Sequence, residues 1–479
     1  MSKTSIALNR FGYGLHHGTR APSEPQADLL RQLAAFNPRP GALADRPDSS
    51  GEAGELIQVI RQQQRKSKQD AARAAEMSSA QEVKKMTREE RIDQLPPELR
   101  GKVREAYGRL RADIEARVNV AVASPTPFAE RLVHFWSNHF SVTAQKQGTP
   151  FEVGNHEFYA IRPNLNGRFS DMLKAAVLHP AMLLYLDQWQ SSGPNSPFNK
   201  RRKGRGRRGL NENLAREIME LHTLGVNGGY SQADVTEFAR ALTGWTVKGL
   251  ARIKRFAEPQ SSGAVFIAAA HEPGSRQVMG RNYTDAGARQ AVAILDDLAA
   301  RPATARFLAT KLARHFTSDT PPASLVTRLE SDFLRTGGDL ASLHRTLVRS
   351  PEPWANAPAK FRQPFEWLVS VMRFTGVETL GGRRTIGVLR QLGQEPWKAP
   401  SPAGFDDVNA SWAGPDALLR RVELAERIAR NAPADAIMER AQAAFPDALS
   451  EPTRTWLSRA ESGHQALGLM LVSPEMMRR

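Results

Sequence analysis

The segment Asn211–Val226, NENLAREIMELHTLGV, concentrates side chains that exchange protons or bind cations. At 3.6 residues per turn, Asn213 and Glu217 stack on one helix face, and Glu220 follows one turn later. A neighbouring apolar stripe predicts a buried side, formed by Leu214, Ile218 and Leu221. The mixture of carboxylates, amides and His222 beside such a stripe indicates an assembled site rather than a solvated surface.

A second polar group lies in the aromatic run Phe128–Val142, FAERLVHFWSNHFSV, which predicts a helix buried on more than one side. His134 and Asn138 are four residues apart and share a face, whereas His139 points elsewhere. The two imidazoles therefore lack the i, i+4 geometry of paired zinc ligands on one helix. Each needs a polar partner in so apolar a setting, and structural hydrogen bonding is the alternative to a role in chemistry.

Two further candidates stand near loops. Asp187 ends the segment that precedes a basic loop, so it could lie near the Asn211–Val226 helix, although pairing with an arginine is the alternative. His271 follows the best strand candidates, in the stretch HEPG, and loops held by a scaffold often carry chemistry. A surface histidine without a role is the alternative for His271.

The first functional hypothesis is an enzyme or metal-binding protein with a cleft between helices, whose chemistry is acid–base or metal-assisted, with hydrolysis as one case. Ionisable groups on apolar helices motivate it, because burial shifts their proton affinity. The candidate catalytic residues are His134, Asn138, His139, Asp187, Asn213, Arg216, Glu217, Glu220, His222 and His271. Oxygen and nitrogen ligands would suit a divalent zinc, manganese or iron ion, and the candidate metal ligands are Glu217, His222 and His139.

The second hypothesis is a helical interaction or assembly module, in which the same polar residues form an internal network. Arg216 would then be sandwiched between Glu212 and Glu220. The partner would be an acidic protein or, with less support, nucleic acid. The candidate polyanion-binding residues form one loop: Lys200, Arg201, Arg202, Lys203, Arg205, Arg207 and Arg208. No aromatic residue interleaves them to stack on bases, so a solvated insertion is the alternative.

Composition limits the classes of protein. Lys and Arg number 66 against 50 Asp and Glu in 479 residues, a net charge of +16 that favours acidic partners. The absence of cysteine excludes disulfides, thiolate ligands and cysteine nucleophiles. The amino-terminal residues lack a signal-peptide core and no apolar run could span a bilayer, so a cytoplasmic location is expected. The GxGxxG letters at Gly204–Gly209 lie in the basic loop, where a dinucleotide fold would need a buried strand.

The predicted fold is mainly α, a multi-helix globular fold with at most one small β-hairpin. Predicted units are 1–55 as the start of the core, 56–117 as a charged helical insertion, 118–250 as a motif-bearing helical core, 251–283 as the hairpin with the His271 loop, and 284–479 as a C-terminal helical part on the same core. Its amphipathic patterns predict helices at Ala303–Phe316, Leu325–Thr336, Leu340–Arg349, Pro364–Thr375 and Ala417–Ala429.

The chain resembles the bacterial family called domain of unknown function 1800. The resemblance is carried in order by Leu8–Gly14, Phe135–Phe140, Ile161–Phe169, His179–Asp187, Asn211–Val226, Gly229–Val247, His271–Gly280, Ala303–Pro322, Phe333–Leu340 and Gly393–Phe405. That family has no established reaction, so the resemblance supplies no catalytic set. Many relatives are exported and accompanied by a sulfatase-like partner, which implies such a partner here, although this chain shows no export signal. The region Leu56–Arg117 is an expansion relative to the family pattern.

Overall fold

A computed structural model describes residues 1–51, 53–62, 88–93, 95–146, 148–201, 209–250, 257–356 and 359–479. These residues are mainly α-helical, which confirms the predicted fold class. No helix among them is long and apolar enough to cross a membrane. Residues 63–87 of the charged insertion lie outside the described residues, as do five members of the basic loop, namely Arg202, Lys203, Arg205, Arg207 and Arg208.

The helices follow one another with short connections. The first third contains α1 (Lys3–Ile6), α2 (Pro25–Ala34), α3 (Gly41–Ala44), α4 (53–62), α5 (Arg88–Asp93), α6 (Pro97–Ala123) and α7 (Pro127–His139). The middle contains α8 (Val153–Asn155), α9 (Phe169–Val177), α10 (Pro180–Tyr185), α11 (Pro197–Arg201), α12 (Asn213–Glu217) and α13 (Gln232–Ala241). The last third contains α14 (Ala288–Ala299), α15 (Pro302–Phe316), α16 (Ala323–Thr336), α17 (Leu340–Arg349), α18 (Pro364–Thr375), α19 (Gly382–Gln391), α20 (Pro415–Ala429), α21 (Ile437–Ala444), α22 (Glu451–Ser458), α23 (Gly463–Leu471) and α24 (Pro474–Met477).

Strands are more numerous than the single hairpin predicted from the sequence. Strands β1 (Trp245–Val247), β2 (Ala257–Pro259) and β3 (Ala264–Ile267) form one antiparallel sheet in the order β1-β3-β2. A separate hairpin joins β4 (Arg276–Val278) to β5 (Arg281–Tyr283). Its two-residue turn, Met279–Gly280, has positive φ at both positions, as a type I′ hairpin turn requires. Strands of three or four residues are too short for their alternation to be recognised in the sequence.

Two hydrophobic clusters account for most of the buried apolar residues. The larger cluster runs from Ile6 to Val348, with Trp397 added. The smaller one gathers residues from Phe361 to Met477, together with Tyr13 and three residues of α6. Helix α6 belongs to both, because Ile114 and Val120 face the first cluster while Val118 and Val122 face the second. An apolar surface on two flanks explains why this long helix is buried along much of its length.

In the described part of the chain, three π-helical turns interrupt the α-helical geometry, at Ala7–Phe11, His156–Ile161 and Ile218–Thr223. The last of these continues α12, and the backbone N–H of Leu224 accordingly bonds the carbonyl of Met219, five residues earlier. Because a π turn holds more residues than an α turn, the faces predicted for Asn211–Val226 at 3.6 residues per turn do not extend past Glu217. Such turns occur often at functional sites.

A fully buried ion pair joins α7 to the turn that begins at Arg162. Arg162 donates to both carboxylate oxygens of Glu130, at 2.6 and 2.9 Å, and both side chains are 2% exposed. Arg162 also donates to the carbonyl of Pro38. The arginine thus finds several acceptors and the carboxylate two donors, which is the condition under which a buried pair is tolerated.

We expect Glu130→Ala to lower the free energy of unfolding by about 3 to 5 kcal/mol, since Arg162 would stay buried without its counter-ion. The matched control is Glu426→Ala, which removes the glutamate of an exposed pair with Arg430 and should cost about 1 kcal/mol or less. Urea denaturation of both variants measures the difference. Equal losses in the two variants would contradict the structural role of the buried pair.

Candidate functional site

A cavity of about 260 Å³ lies where the two hydrophobic clusters meet. Its walls come from α6, α7, α15, α18 and the segment 394–408, with Tyr13 added from the N-terminal region. Helix α7 contributes Arg131, His134 and Asn138 from successive turns of one face. The lining is rich in titratable side chains, although its surroundings are apolar.

His315, at the end of α15, forms the most distinctive pair in the cavity wall. Its Nδ1 lies 2.8 Å from Oδ2 of Asp407, and its ring packs on Phe135 with centroids 5.3 Å apart. The second ring nitrogen, Nε2, has no hydrogen-bond partner among the described residues. Burial lowers the pKa of His315, so the ring is neutral at neutral pH. A neutral ring that donates from Nδ1 presents an unoccupied lone pair at Nε2.

Asp407 is held in its ionised form by several donors. Lys360 lies 3.1 Å from Oδ1, and Gln363 donates to the same oxygen at 3.3 Å. Burial alone would raise the pKa of Asp407, but the hydrogen bond from His315 and the charges of Lys360 and Arg479 hold it well below its ordinary value. The carboxylate is thus a fixed acceptor for the imidazole.

Glu366 is the second buried carboxylate of the wall. Arg131 donates to its Oε1, and the Arg479 Nε donates to Oε2 at 3.0 Å. Burial opposes ionisation, but the two guanidinium groups lower the pKa of Glu366 to about 2. Its Oε1 lies 3.9 Å from Nε2 of His315, which is too far for a hydrogen bond.

His134 was predicted from the sequence and lines this cavity. Its Nδ1 lies 2.5 Å from the hydroxyl of Tyr13, and its ring stands edge-on to Phe365. Burial lowers the pKa of His134 and raises that of Tyr13, so both groups are neutral. When the phenol donates to Nδ1, the ring hydrogen resides on Nε2.

His139 also lines the cavity, and it links two other helices. Its Nε2 donates to the backbone carbonyl of His222 at 3.1 Å, so its Nδ1 accepts from the Lys311 ammonium at 3.0 Å. Burial lowers the pKa of His139 far below its ordinary value and that of Lys311 to about 8. No carboxylate among the described residues lies within ion-pair distance of Lys311.

Asn138 has a positional role in the wall. Its side-chain amide donates to the carbonyl of Phe405 at 2.9 Å and accepts from the Phe405 N–H at 2.8 Å. The preceding Gly404 has φ +88°, and a Cβ there would lie 2.4 Å from the Asn138 carbonyl. Asn138 therefore docks the segment that delivers Asp407.

The other predicted candidates do not line this cavity. Asp187 pairs with Lys146 at 2.5 Å, and Nδ1 of His271 donates to the Thr243 carbonyl at 2.9 Å. Asn213 is exposed, and burial raises the pKa of Glu217. The predicted sandwich around Arg216 is wrong: Arg216 bonds Glu212 and Gln232, while Glu220 accepts from Tyr230.

No group of three His, Asp or Glu side chains among the described residues is arranged to hold a metal ion. Of the predicted ligands, His139 and His222 are neighbours with ring centroids 5.9 Å apart. The Nε2 of His139 is occupied by a carbonyl and its Nδ1 by Lys311. The set Glu217, His222 and His139 therefore gains no support from the geometry.

Sequence reasoning missed His315, Asp407, Lys311, Tyr13 and Glu366. They are brought together from separate helices and loops, so spacing along the chain gives no sign of the cluster. A partial signal existed for His315, which ends a predicted amphipathic helix within one of the segments that carry the family resemblance.

Buried His222 gives a testable pH dependence. Both ring nitrogens are buried without partners among the described residues, and burial lowers its pKa from 6.5 to about 3. Below pH 6.5 His222 binds a proton in the unfolded chain but stays neutral in the folded chain. Falling pH should therefore lower the free energy of unfolding by about 1.4 kcal/mol per pH unit. Between pH 6.5 and 5, we expect the free energy of unfolding of His222→Leu to fall by about 2 kcal/mol less than that of the wild type, as measured by urea denaturation. His464→Leu, at an exposed position, is the control, and parallel curves for the wild type and His222→Leu would contradict the expectation.

Comparison with known proteins gives one match. The model of the family described as "Protein of unknown function (DUF1800)" matches residues 6–478, nearly the whole chain. No curated protein matches the chain. No solved structure matches it either. Since the family model covers the cavity helices and the segment with Asp407, the chain belongs to this family of proteins of unknown function.

Proposed function

We propose that the protein is an enzyme that uses His315 as a general acid–base in the cavity between the two clusters. One observation carries the proposal: a buried imidazole is oriented by a carboxylate through Nδ1, while Nε2, also buried in the cavity wall, has no partner among the described residues. This arrangement is typical of histidines that transfer protons in catalysis.

The proton path uses groups already fixed in place. Nε2 of neutral His315 takes a proton from a water molecule or a substrate hydroxyl, and the ring becomes an imidazolium. Asp407, ionised and 2.8 Å from Nδ1, stabilises that cation and keeps the ring in one tautomer. Glu366 adds attraction from 3.9 Å on the opposite nitrogen. The proton returns to the leaving group in the second half of the reaction.

His134 supplies a complementary group. With Tyr13 donating to its Nδ1, its Nε2–H is a hydrogen-bond donor without a partner among the described residues. A neutral donor of this kind stabilises negative charge that develops on a substrate oxygen. Tyr13 acts through His134 and is therefore a positioning residue. Activation of water for hydrolysis is the reaction class that best uses a base and such a donor together.

The test is incubation of the purified protein with a bacterial small-molecule extract and with panels of esters and phosphate esters, followed by mass spectrometry. We expect the wild type to consume particular compounds, and His315→Ala to do so about 10² to 10⁴ times more slowly. Asp407→Asn should also slow the reaction, because the wrong tautomer of His315 would be favoured.

His464→Ala, at an exposed position on α23, is the control and should keep the wild-type rate. Circular dichroism and thermal melts separate loss of chemistry from loss of fold. Equal consumption by His315→Ala and the wild type, or no compound consumed by the wild type, would contradict the proposal.

A further inference from the structure

Two cations of the cavity wall form no ion pair among the described residues. Lys311 and Arg314 both line the cavity from α15, and neither lies within ion-pair distance of a carboxylate among the described residues. The other two wall cations are satisfied: Arg117 by Glu157 at 2.8 Å and Arg131 by Glu366. A positive charge at a partly dehydrated surface is costly unless an anion compensates it.

The donors of both side chains remain largely unused. Arg314 donates only from Nε, to the carbonyl of Asp319 at 3.2 Å, which leaves its two terminal nitrogens without partners among the described residues. The Lys311 ammonium has one partner, Nδ1 of His139 at 3.0 Å, so two of its three hydrogens are free of described acceptors. A planar guanidinium edge beside an ammonium fits the oxygens of a carboxylate or phosphate.

These cations share a helix face with the proposed acid–base. Lys311, Arg314 and His315 occupy positions i, i+3 and i+4 of α15 and all line the cavity. An oxyanion held by the first two would place the rest of its molecule beside His315. The volume of about 260 Å³ suits a small molecule rather than a polymer segment.

We infer that the cavity binds a small acidic substrate, whose carboxylate or phosphate group is held by Lys311 and Arg314. The inference rests on the proposed function for the identity of the reacting group, but the anion site is measurable without turnover.

The experiment is isothermal titration of the full-length protein with inorganic phosphate and, separately, with succinate, at constant ionic strength set with sodium chloride. We expect saturable binding of one of them to the wild type, and the stronger ligand identifies the preferred oxyanion. Lys311→Gln and Arg314→Gln should each weaken that binding about tenfold or more, as expected for the loss of a charged hydrogen bond. Arg306→Gln is the matched control, because it removes the same charge from an exposed position on α15, and its affinity should equal that of the wild type.

Absence of saturable binding by both anions, or affinity in Lys311→Gln and Arg314→Gln equal to that of Arg306→Gln, would overturn the anion site. Thermal melts in the absence of anion show whether the variants are folded. Since a cavity charge without an ion-pair partner can be removed with little loss of stability, we expect melting temperatures close to that of the wild type. His315→Ala separates the two proposals. If the protein binds an anion but His315→Ala does not slow turnover, the proposed function is wrong and the anion site stands. If turnover depends on His315 but no anion binds, the acidic substrate class is wrong and the proposed function stands.

Discussion

The cavity depends on one buried charge network centred on Glu366 and Asp407. Arg479 contacts both carboxylates, at 3.0 Å from Glu366 and 3.9 Å from Asp407, and also donates to the backbone carbonyl of His315. Arg131 and Lys360 complete the compensation from two other parts of the chain. Because removal of one member leaves an uncompensated charge in an apolar interior, the network is stabilising only as a whole. The same network therefore holds the imidazole of His315 in place, through Asp407 and Arg479.

The helical part of the fold was largely predictable from the sequence, and the site was predictable only in part. Leu340–Arg349 and Pro364–Thr375 have the predicted bounds, because their apolar residues recur at the helical period and Asp339 or Pro364 marks the start. His134, Asn138 and His139 were recognised because polar groups inside an aromatic helix need partners. Asp407 was not, since it lies 92 residues from His315 and only the folded chain joins them.

The net charge of +16 suggested acidic partners, but part of the positive charge lies inside the folded protein. Several arginines are buried and donate to backbone carbonyls or amides instead of facing a polyanion. Arg373 donates to Gly14 and Val122, and Arg421 donates to Arg362. Burial lowers the pKa of Arg362 to about 9 and that of Arg421 to about 10. Part of the positive charge therefore serves the interior of the protein.

Helix α6 presents one flank to each hydrophobic cluster and also provides Arg117 to the cavity wall. If either cluster unfolded, apolar side chains of α6 would be exposed to water. Thermal or chemical denaturation should therefore proceed as one cooperative transition. Sites between two cores commonly open and close by relative displacement of those cores. Here the shared helix restrains such displacement of the two clusters.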